Sequence, residues 1–172
     1  ELSVLEDGDL ICAGDYSFKC ISTPGHSRGH TCLYDPEKKI LVAGDHVLID
    51  ITPNIQCWAD DYDPLKDYLA SLDKVNDLDI ELVLPGHRRL ITDPKGRIAE
   101  LKEHHRKRLD EVLEIITKEP KTAYEVASQM TWDIHCDSWD DFPRAQKWFA
   151  TGEAIAHLRY LERKGSILQR DE

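Results

Sequence analysis

The chain has 172 residues and a mass of 19.8 kDa, and 41% of its residues are apolar, enough for a packed core and against wholesale disorder. With 33 Asp+Glu against 22 Lys+Arg, a formal charge of −11 and a pI near 5.1, it lacks the bulk positive charge that holds duplex nucleic acid or anionic lipid. No apolar run approaches the ~20 residues needed to span a bilayer, and the opening residues do not read as a signal peptide; a soluble protein is expected.

Residues 1–50 are dominated by short apolar runs of period two. Tyr16–Ser22 alternates and stops at Pro24-Gly25, which predicts a strand. Thr31–Tyr34 and Lys39–Ala43 flank the turn Asp35-Pro36-Glu37-Lys38, which predicts a hairpin. Asp63-Pro64 is a helix start, with Asp63 as N-cap and Pro64 at the first helical position, followed by Leu65, Tyr68, Leu69, Leu72 and Val75 at helical spacing. Ile80–Leu84 reads as a short buried strand ended by Pro85-Gly86. Asp93-Pro94 opens a longer helix carrying Ile98, Leu101, His105, Leu109, Val112, Leu113 and Ile116. Alternation of strand and helix predicts an α/β fold with a mixed sheet.

Glu119-Pro120 stops that helix and marks the expected boundary between residues 1–118 and 119–172. Thr122–Met130 predicts a short helix with a capping box from Thr122 and Glu125. Asp133–Asp141 is polar and irregular. Trp148–Lys164 predicts a helix closed by Gly165, and Ser166–Gln169 a short strand. Tyr124, Val126, Trp148, Leu158 and Leu161 are the expected core of this second part.

The five cysteines, at 12, 20, 32, 57 and 136, are odd in number and form no C-x-x-C pair. They are read as reduced thiols packed as small apolar residues, which suits a cytoplasmic setting.

Three segments share one design, an apolar strand followed by a tight turn and then a His or Asp: Thr23-Pro24-Gly25-His26-Ser27-Arg28-Gly29-His30, Val42-Ala43-Gly44-Asp45-His46 and Val83-Leu84-Pro85-Gly86-His87. A side chain just past a buried strand sits on a rigid base at the rim of a sheet, where sites on layered α/β folds are found. Imidazole and carboxylate donors together suit zinc, with manganese or iron as second choices. A PGH tripeptide or a GD dipeptide alone is weak, but three such turns in this arrangement point to a metal site.

These motifs resemble the later signature sequences of the metallo-β-lactamase superfamily of hydrolases. The resemblance implies the second part of an αββα sandwich, with His26 as ligand to one metal, Asp45 as the carboxylate bridging two, and His87 as ligand to the other. His30 is then a supporting residue rather than a ligand, and His46 a loop residue beside the site. Ile51-Thr52-Pro53-Asn54-Ile55, Asp63-Pro64-Leu65, Tyr68-Leu69-Ala70-Ser71-Leu72 and Glu103-His104-His105-Arg106-Lys107-Arg108-Leu109 are similar to the branch containing lactamase-β-like protein 2 and glyoxalase II-like hydrolases. Thr122–Ala127 and Gly152–Leu158 resemble the small winged-helix domain that ends this branch.

One departure stands out. The eight histidines lie at 26, 30, 46, 87, 104, 105, 135 and 157, and none forms the superfamily's H-x-H-x-D-H motif. His104-His105 lies inside the long helix and is read as packing. Met130 is the only methionine. The expectation is a carboxy-terminal half, inactive by itself, whose intact form is a dinuclear zinc hydrolase of an ester, thioester or lactone-like small substrate. A single-stranded RNA endonuclease of the same superfamily is the alternative. A winged-helix nucleic-acid module is a weaker one, because residues 119–172 hold 7 Lys+Arg against 10 Asp+Glu. Thr52–Trp58 with Asp60-Asp61 are expected to line the substrate pocket. A half sandwich leaves an apolar sheet face open, so self-association through the sheet or retention of the amino-terminal piece is expected.

Overall fold

The computed structural model describes residues 4–57 and 59–170. The chain divides into two compact units, residues 1–53 with 66–102, and residues 54–65 with 103–172. Among the described residues no helix is long and apolar enough to cross a membrane.

The first unit is built on five strands in sequential order: β1 Leu10–Ala13, β2 Tyr16–Ser22, β3 Thr31–Asp35, β4 Ile40–Gly44 and β5 Leu82–Pro85. The first four form an antiparallel meander, and β5 joins β4 in parallel, with Leu41 opposite Val83. The sheet is therefore mixed, as the alternation of elements requires. β1 extends the expected set: Gly14 at φ +59 and Asp15 turn the chain between the paired Ala13 and Tyr16. The β3–β4 turn is held by the Asp35 carboxylate, which accepts from the backbone N–H groups of Glu37 and Lys38 at 3.0 Å each. Those bonds draw the Asp35 carboxyl below its ordinary pKa.

One face of the sheet is closed: Ile21, Cys32, Tyr34, Leu41, Ala43 and Val83 are buried. On the opposite face Phe18, Leu33, Val42 and Leu84 are only half-buried. Two helices contribute to this unit. α1, Pro64–Asn76, starts at the expected proline and buries Tyr68, Leu72 and Val75. α2, Pro94–Ile116, is capped by Asp93, whose side chain accepts from the Gly96 N–H at 3.0 Å, and it buries Ile98 and Leu101 here.

The second unit is helical, with no strand among its described residues. It holds the remainder of α2, α3 (Ala123–Gln129) and α4 (Arg144–Arg163). Thr122 and Glu125 make the expected capping box. Val112, Val126, Ala127, Met130, Phe142, Ala150, Ala154 and Leu161 form its core, with Leu158, Trp132 and Trp139 packed partly against them. Inside it His105 of α2 meets His157 of α4, both buried.

Several expectations are corrected here. α4 begins four residues before Trp148. Tyr124 and Trp148 are about half exposed rather than core, and the buried stripe of α4 runs through small and polar residues, Ala150, Glu153, Ala154, Ala156 and His157. Ser166–Gln169 forms no strand: no partner strand stands beside it among the described residues, and Leu168 is 89% exposed. The wing of the expected winged helix is therefore not formed there.

Candidate metal centre

The three turn motifs meet at one end of the sheet. β2 leads into His26, β4 into Asp45 and β5 into His87, so each side chain is carried by the first residues past a strand. His87 Nε2 lies 3.3 Å from Asp45 Oδ1, and His26 Nε2 lies 3.7 Å from Asp45 Oδ2. Each carboxylate oxygen thus faces a different imidazole. The carboxylate and the His26 ring are about one-third exposed and His87 more so, which leaves the group open to solvent.

Glycines make this approach possible. A Cβ on Gly86 would sit 2.7 Å from Asp45 Oδ1, so any side chain there would push the carboxylate from its present position. The Gly86 N–H donates to the Gly44 carbonyl at 2.7 Å and stitches the two turns together. Gly25, at φ +145, lies against the backbone of Tyr68, where a Cβ would stand 2.5 Å from the Tyr68 Cβ. The turn before His26 is therefore seated directly on α1, and Ser71 reinforces it by donating to the Pro24 carbonyl at 2.8 Å.

Behind the three residues lies a row of aromatic rings. The His30 ring packs edge-on to His26, at 6.4 Å between centroids, and is followed by His46 at 5.9 Å and Tyr68 at a further 5.3 Å. His30 Nδ1 is 2.8 Å from Thr23 Oγ1, which fixes the ring, and burial with the nearby His26 lowers its pKa. His46 is fully buried, and burial pushes its imidazole down to about 3, so it is neutral. The Tyr68 hydroxyl donates to the His46 carbonyl at 3.0 Å. Cys32, beside Thr23, is raised to about 11 by burial and is a packed thiol rather than a thiolate.

His26, Asp45 and His87 are thus brought together, with His30 and His46 ranged behind them. His104 and His105 lie elsewhere, in the second unit. Of the loop expected to line a pocket, Trp58 lies outside the described residues. Gln56 and Cys57 are bonded to α4 within the second unit, through the carbonyls of Phe149 and Gly152. Two arginine braces were given no role in the sequence reading, although Arg97-Ile98 opens the segment running to Leu109 that resembles the lactamase-β-like protein 2 branch. Arg97 donates to the carbonyls of Leu48 and Ile51 at 2.6 and 2.8 Å, and Arg89 grips Asp50 with two bonds of 3.0 and 2.8 Å. No spacing rule links such residues; only the arginine after the GH turn hints at them.

The His26–Asp45 and Asp45–His87 separations can be set against the span of two ligands on one ion. Two ligands about 2.1 Å from one zinc ion in tetrahedral geometry stand about 3.4 Å apart, and the two N···O separations here are 3.3 and 3.7 Å. Among the described residues, no group of three or more His, Cys, Asp or Glu is placed to hold an ion unaided.

Comparison with known proteins places the chain's fold. Residues 3–87 match the family model of the Metallo-beta-lactamase superfamily, and residues 109–172 match that of the Metallo-beta-lactamase-like, C-terminal domain. The beta-lactamase-like protein 2 homolog of Caenorhabditis elegans is 30% identical over 130 residues, covering 75% of this chain and 42% of that protein. The acyl-coenzyme A thioesterase MBLAC2 of Bos taurus is 40% identical over 92 residues, covering 49% and 30%. A metallo-beta-lactamase family protein from Thermus thermophilus superposes with a TM-score of 0.82 at 36% identity, covering 97% of this chain and 51% of its own. A beta-lactamase domain protein from Burkholderia ambifaria gives 0.85 at 30%, covering 99% and 50%. The chain spans about half the length of these solved structures and less than half of the two curated relatives. With one family model on its sheet and a second on its helical part, the chain belongs to the metallo-β-lactamase superfamily.

Proposed function

We propose that this chain supplies part of the centre of a metal-dependent hydrolase, with zinc the first choice of metal and manganese or iron the second. The observation that carries this reading is the Asp45 carboxylate, whose two oxygens face His87 and His26 separately. His26 and His87 would each supply an imidazole to the metal pair, and Asp45 would supply the carboxylate between them. Bound as a pair, such ions supply Lewis acidity and an acidified water. Within the chain, Asp45 would hold a carboxylate at the reacting water, Gly86 places no side chain against it, and the half-buried His30 with the buried His46 and Tyr68 backs the ligand turns.

One imidazole and a shared carboxylate per ion is short of the three protein ligands usual in a catalytic zinc site. We therefore expect weak metal binding and little turnover from these residues alone. The missing donors would come from an amino-terminal segment or a second copy, docked on the half-buried sheet face of Phe18, Leu33, Val42 and Leu84. Among ester, thioester and lactone-like substrates, the thioester is favoured, because relatives 39–40% identical over 92 residues are named acyl-coenzyme A thioesterases. A single-stranded RNA substrate is the second reading, and the acidic charge of residues 119–172 weighs against a nucleic-acid-binding role there.

Titration with Co²⁺, followed by its visible absorbance, tests the site. Wild type is expected to bind and His26→Ala, Asp45→Asn and His87→Ala to bind at least tenfold less. A wild type that binds no Co²⁺, or variants that bind it equally well, would overturn the assignment. Acyl thioester, ester and RNA oligonucleotides presented to the metal-loaded chain, alone and with an added amino-terminal segment, then rank the substrates.

A further inference from the structure

The turns that carry Asp45 and His87 are joined at both ends. At the near end the Gly86 N–H meets the Gly44 carbonyl at 2.7 Å. At the far end Arg89 closes a fork on Asp50, Nε to Oδ2 at 3.0 Å and Nη2 to Oδ1 at 2.8 Å. Asp45 and His87 lie between these two rungs. The base of the His87 loop is closed separately by Val83 and Ile91, which exchange backbone bonds of 2.9 and 3.1 Å.

Two further observations single out the far rung. Only three described non-glycine residues have positive φ: Lys39 in the β3–β4 turn, Asp50 at +66 and Arg88 at +71. Two of the three therefore lie at the fork, one on each loop: Asp50 is one of its members and Arg88 immediately precedes the other. Such conformations cost free energy and persist where surrounding structure demands them. The Asp50 loop is braced again from its other side, since Arg97 holds the Leu48 and Ile51 carbonyls. Yet both members of the fork are exposed, Arg89 by 68% and Asp50 by 49% of the side chain. An exposed ion pair adds little to global stability. Its two parallel bonds do fix direction, which a lysine's single point charge does not.

We propose that Asp50 and Arg89 are a positioning pair, a clasp that holds the His87 loop at the distance from Asp45 at which both can serve the metal pair. The proposal rests on the metal reading given above and adds to it residues that touch neither metal nor substrate. Outer residues that orient ligands typically change metal affinity 10–100-fold.

The test has one arm without metal and one with it. In the metal-free chain, amide hydrogen exchange of Gly86 is expected to quicken about tenfold in Arg89→Ala and Asp50→Asn. Ile91, at the loop base, should keep its rate. Arg89→Lys should recover part of the protection, and the exchanged pair Asp50→Arg/Arg89→Asp more of it. Unchanged exchange at Gly86, or equal quickening at Ile91, would overturn the clasp. In the Co²⁺ titration both single variants should bind about tenfold more weakly, and the double variant Asp50→Asn/Arg89→Ala no worse than either. Variants that loosen Gly86 but bind Co²⁺ as wild type does would overturn the positioning role. A wild type that binds no Co²⁺ would instead remove the metal reading, and the exchange arm would still decide the clasp.

Discussion

His105 Nδ1 lies 3.2 Å from His157 Nε2, and His157 Nδ1 lies 2.8 Å from the Glu153 carbonyl oxygen. The carbonyl can only accept, so His157 Nδ1 carries a proton; its Nε2 is then the acceptor, and His105 donates through Nδ1. Both rings are neutral in this arrangement, and a further proton on His157 would leave two N–H groups pointing at each other. Burial accordingly holds His157 down to about 4 and His105 well below its ordinary value.

The consequence is a pH-dependent stability. Between about pH 6.5 and 4 an unfolded chain takes up protons on these histidines that the native one refuses, so stability falls as pH falls through that window. Glu153, raised by burial to about 7, opposes this by binding its proton earlier in the native state. Arg108, 3.6 Å from Glu153, lowers both histidines, while Glu111 and His104 also face the pair. Two histidines against one carboxyl leave a net loss. His157→Asn, which keeps a donor near the Nδ1 position, should flatten the profile by about 3 kcal/mol between pH 7 and 4. Urea midpoints at several pH values measure this; parallel profiles for the two proteins would refute it.

Gly25→Ala should be among the most damaging single-methyl additions in the chain. The new Cβ would meet the Tyr68 Cβ at 2.5 Å and its Cα at 2.6 Å, at a φ of +145 that alanine resists. Overpacking against backbone costs about 1–3 kcal/mol, and the conformational penalty adds to it. Thermal melting would show this as a clear drop in Tm. Gly14→Ala, with nothing within 4 Å of its Cβ, serves as the comparison for left-handed strain alone.

Leu161 and Leu158 occupy successive turns of α4 but differ in cover. Leu161 is 5% exposed in the core of the second unit, whereas Leu158 is only packed partly against it. Leu161→Ala should cost roughly 2–5 kcal/mol and Leu158→Ala distinctly less. Chemical denaturation orders the two, and a larger loss at Leu158 would place the core on the other side of the helix.

Thr122→Ala removes the hydroxyl half of the capping box, in which Thr122 Oγ1 accepts from the Glu125 N–H, together with the bond the hydroxyl donates to the Glu125 carboxylate; the Thr122 backbone N–H keeps its bond to that carboxylate. A loss of about 1 kcal/mol is expected. Glu125, drawn below its ordinary pKa by the Thr122 backbone N–H and hydroxyl, should titrate at higher pH in the variant, which carboxyl NMR would register.

What was legible in the sequence followed from local physics. Period-two runs broken by Pro-Gly or Gly-Asp placed β2, β3 and β4, and Asp-Pro pairs placed the starts of α1 and α2. β1 was not legible, because Leu10–Ala13 is short, mostly exposed and without alternation. The first turn of α4 is Arg-Ala-Gln-Lys, which carries no apolar period, so its start was set too late. Tyr124 and Trp148 were assigned to the core on hydrophobicity alone, but the buried stripe of α4 is carried by Ala150, Glu153, Ala154, Ala156, His157 and Leu161 instead. At the site, His26, Asp45 and His87 could be named because each follows a strand-and-glycine signature. The Asp50–Arg89 fork joins residues 39 apart with no such signature, and only the folded chain shows it.

The parallel pairing of β4 with β5 is also the longest-range pairing within the sheet. Leu33 and Val42 pair across 9 residues of chain, whereas Val42 and Leu84 pair across 42. By loop-closure entropy the longer connection costs about 1.4 kcal/mol more. The three side chains are thus brought together by pairings of unequal reach: His26 and Asp45 depend on the short-range meander, and His87 on the longest-range pairing of the sheet.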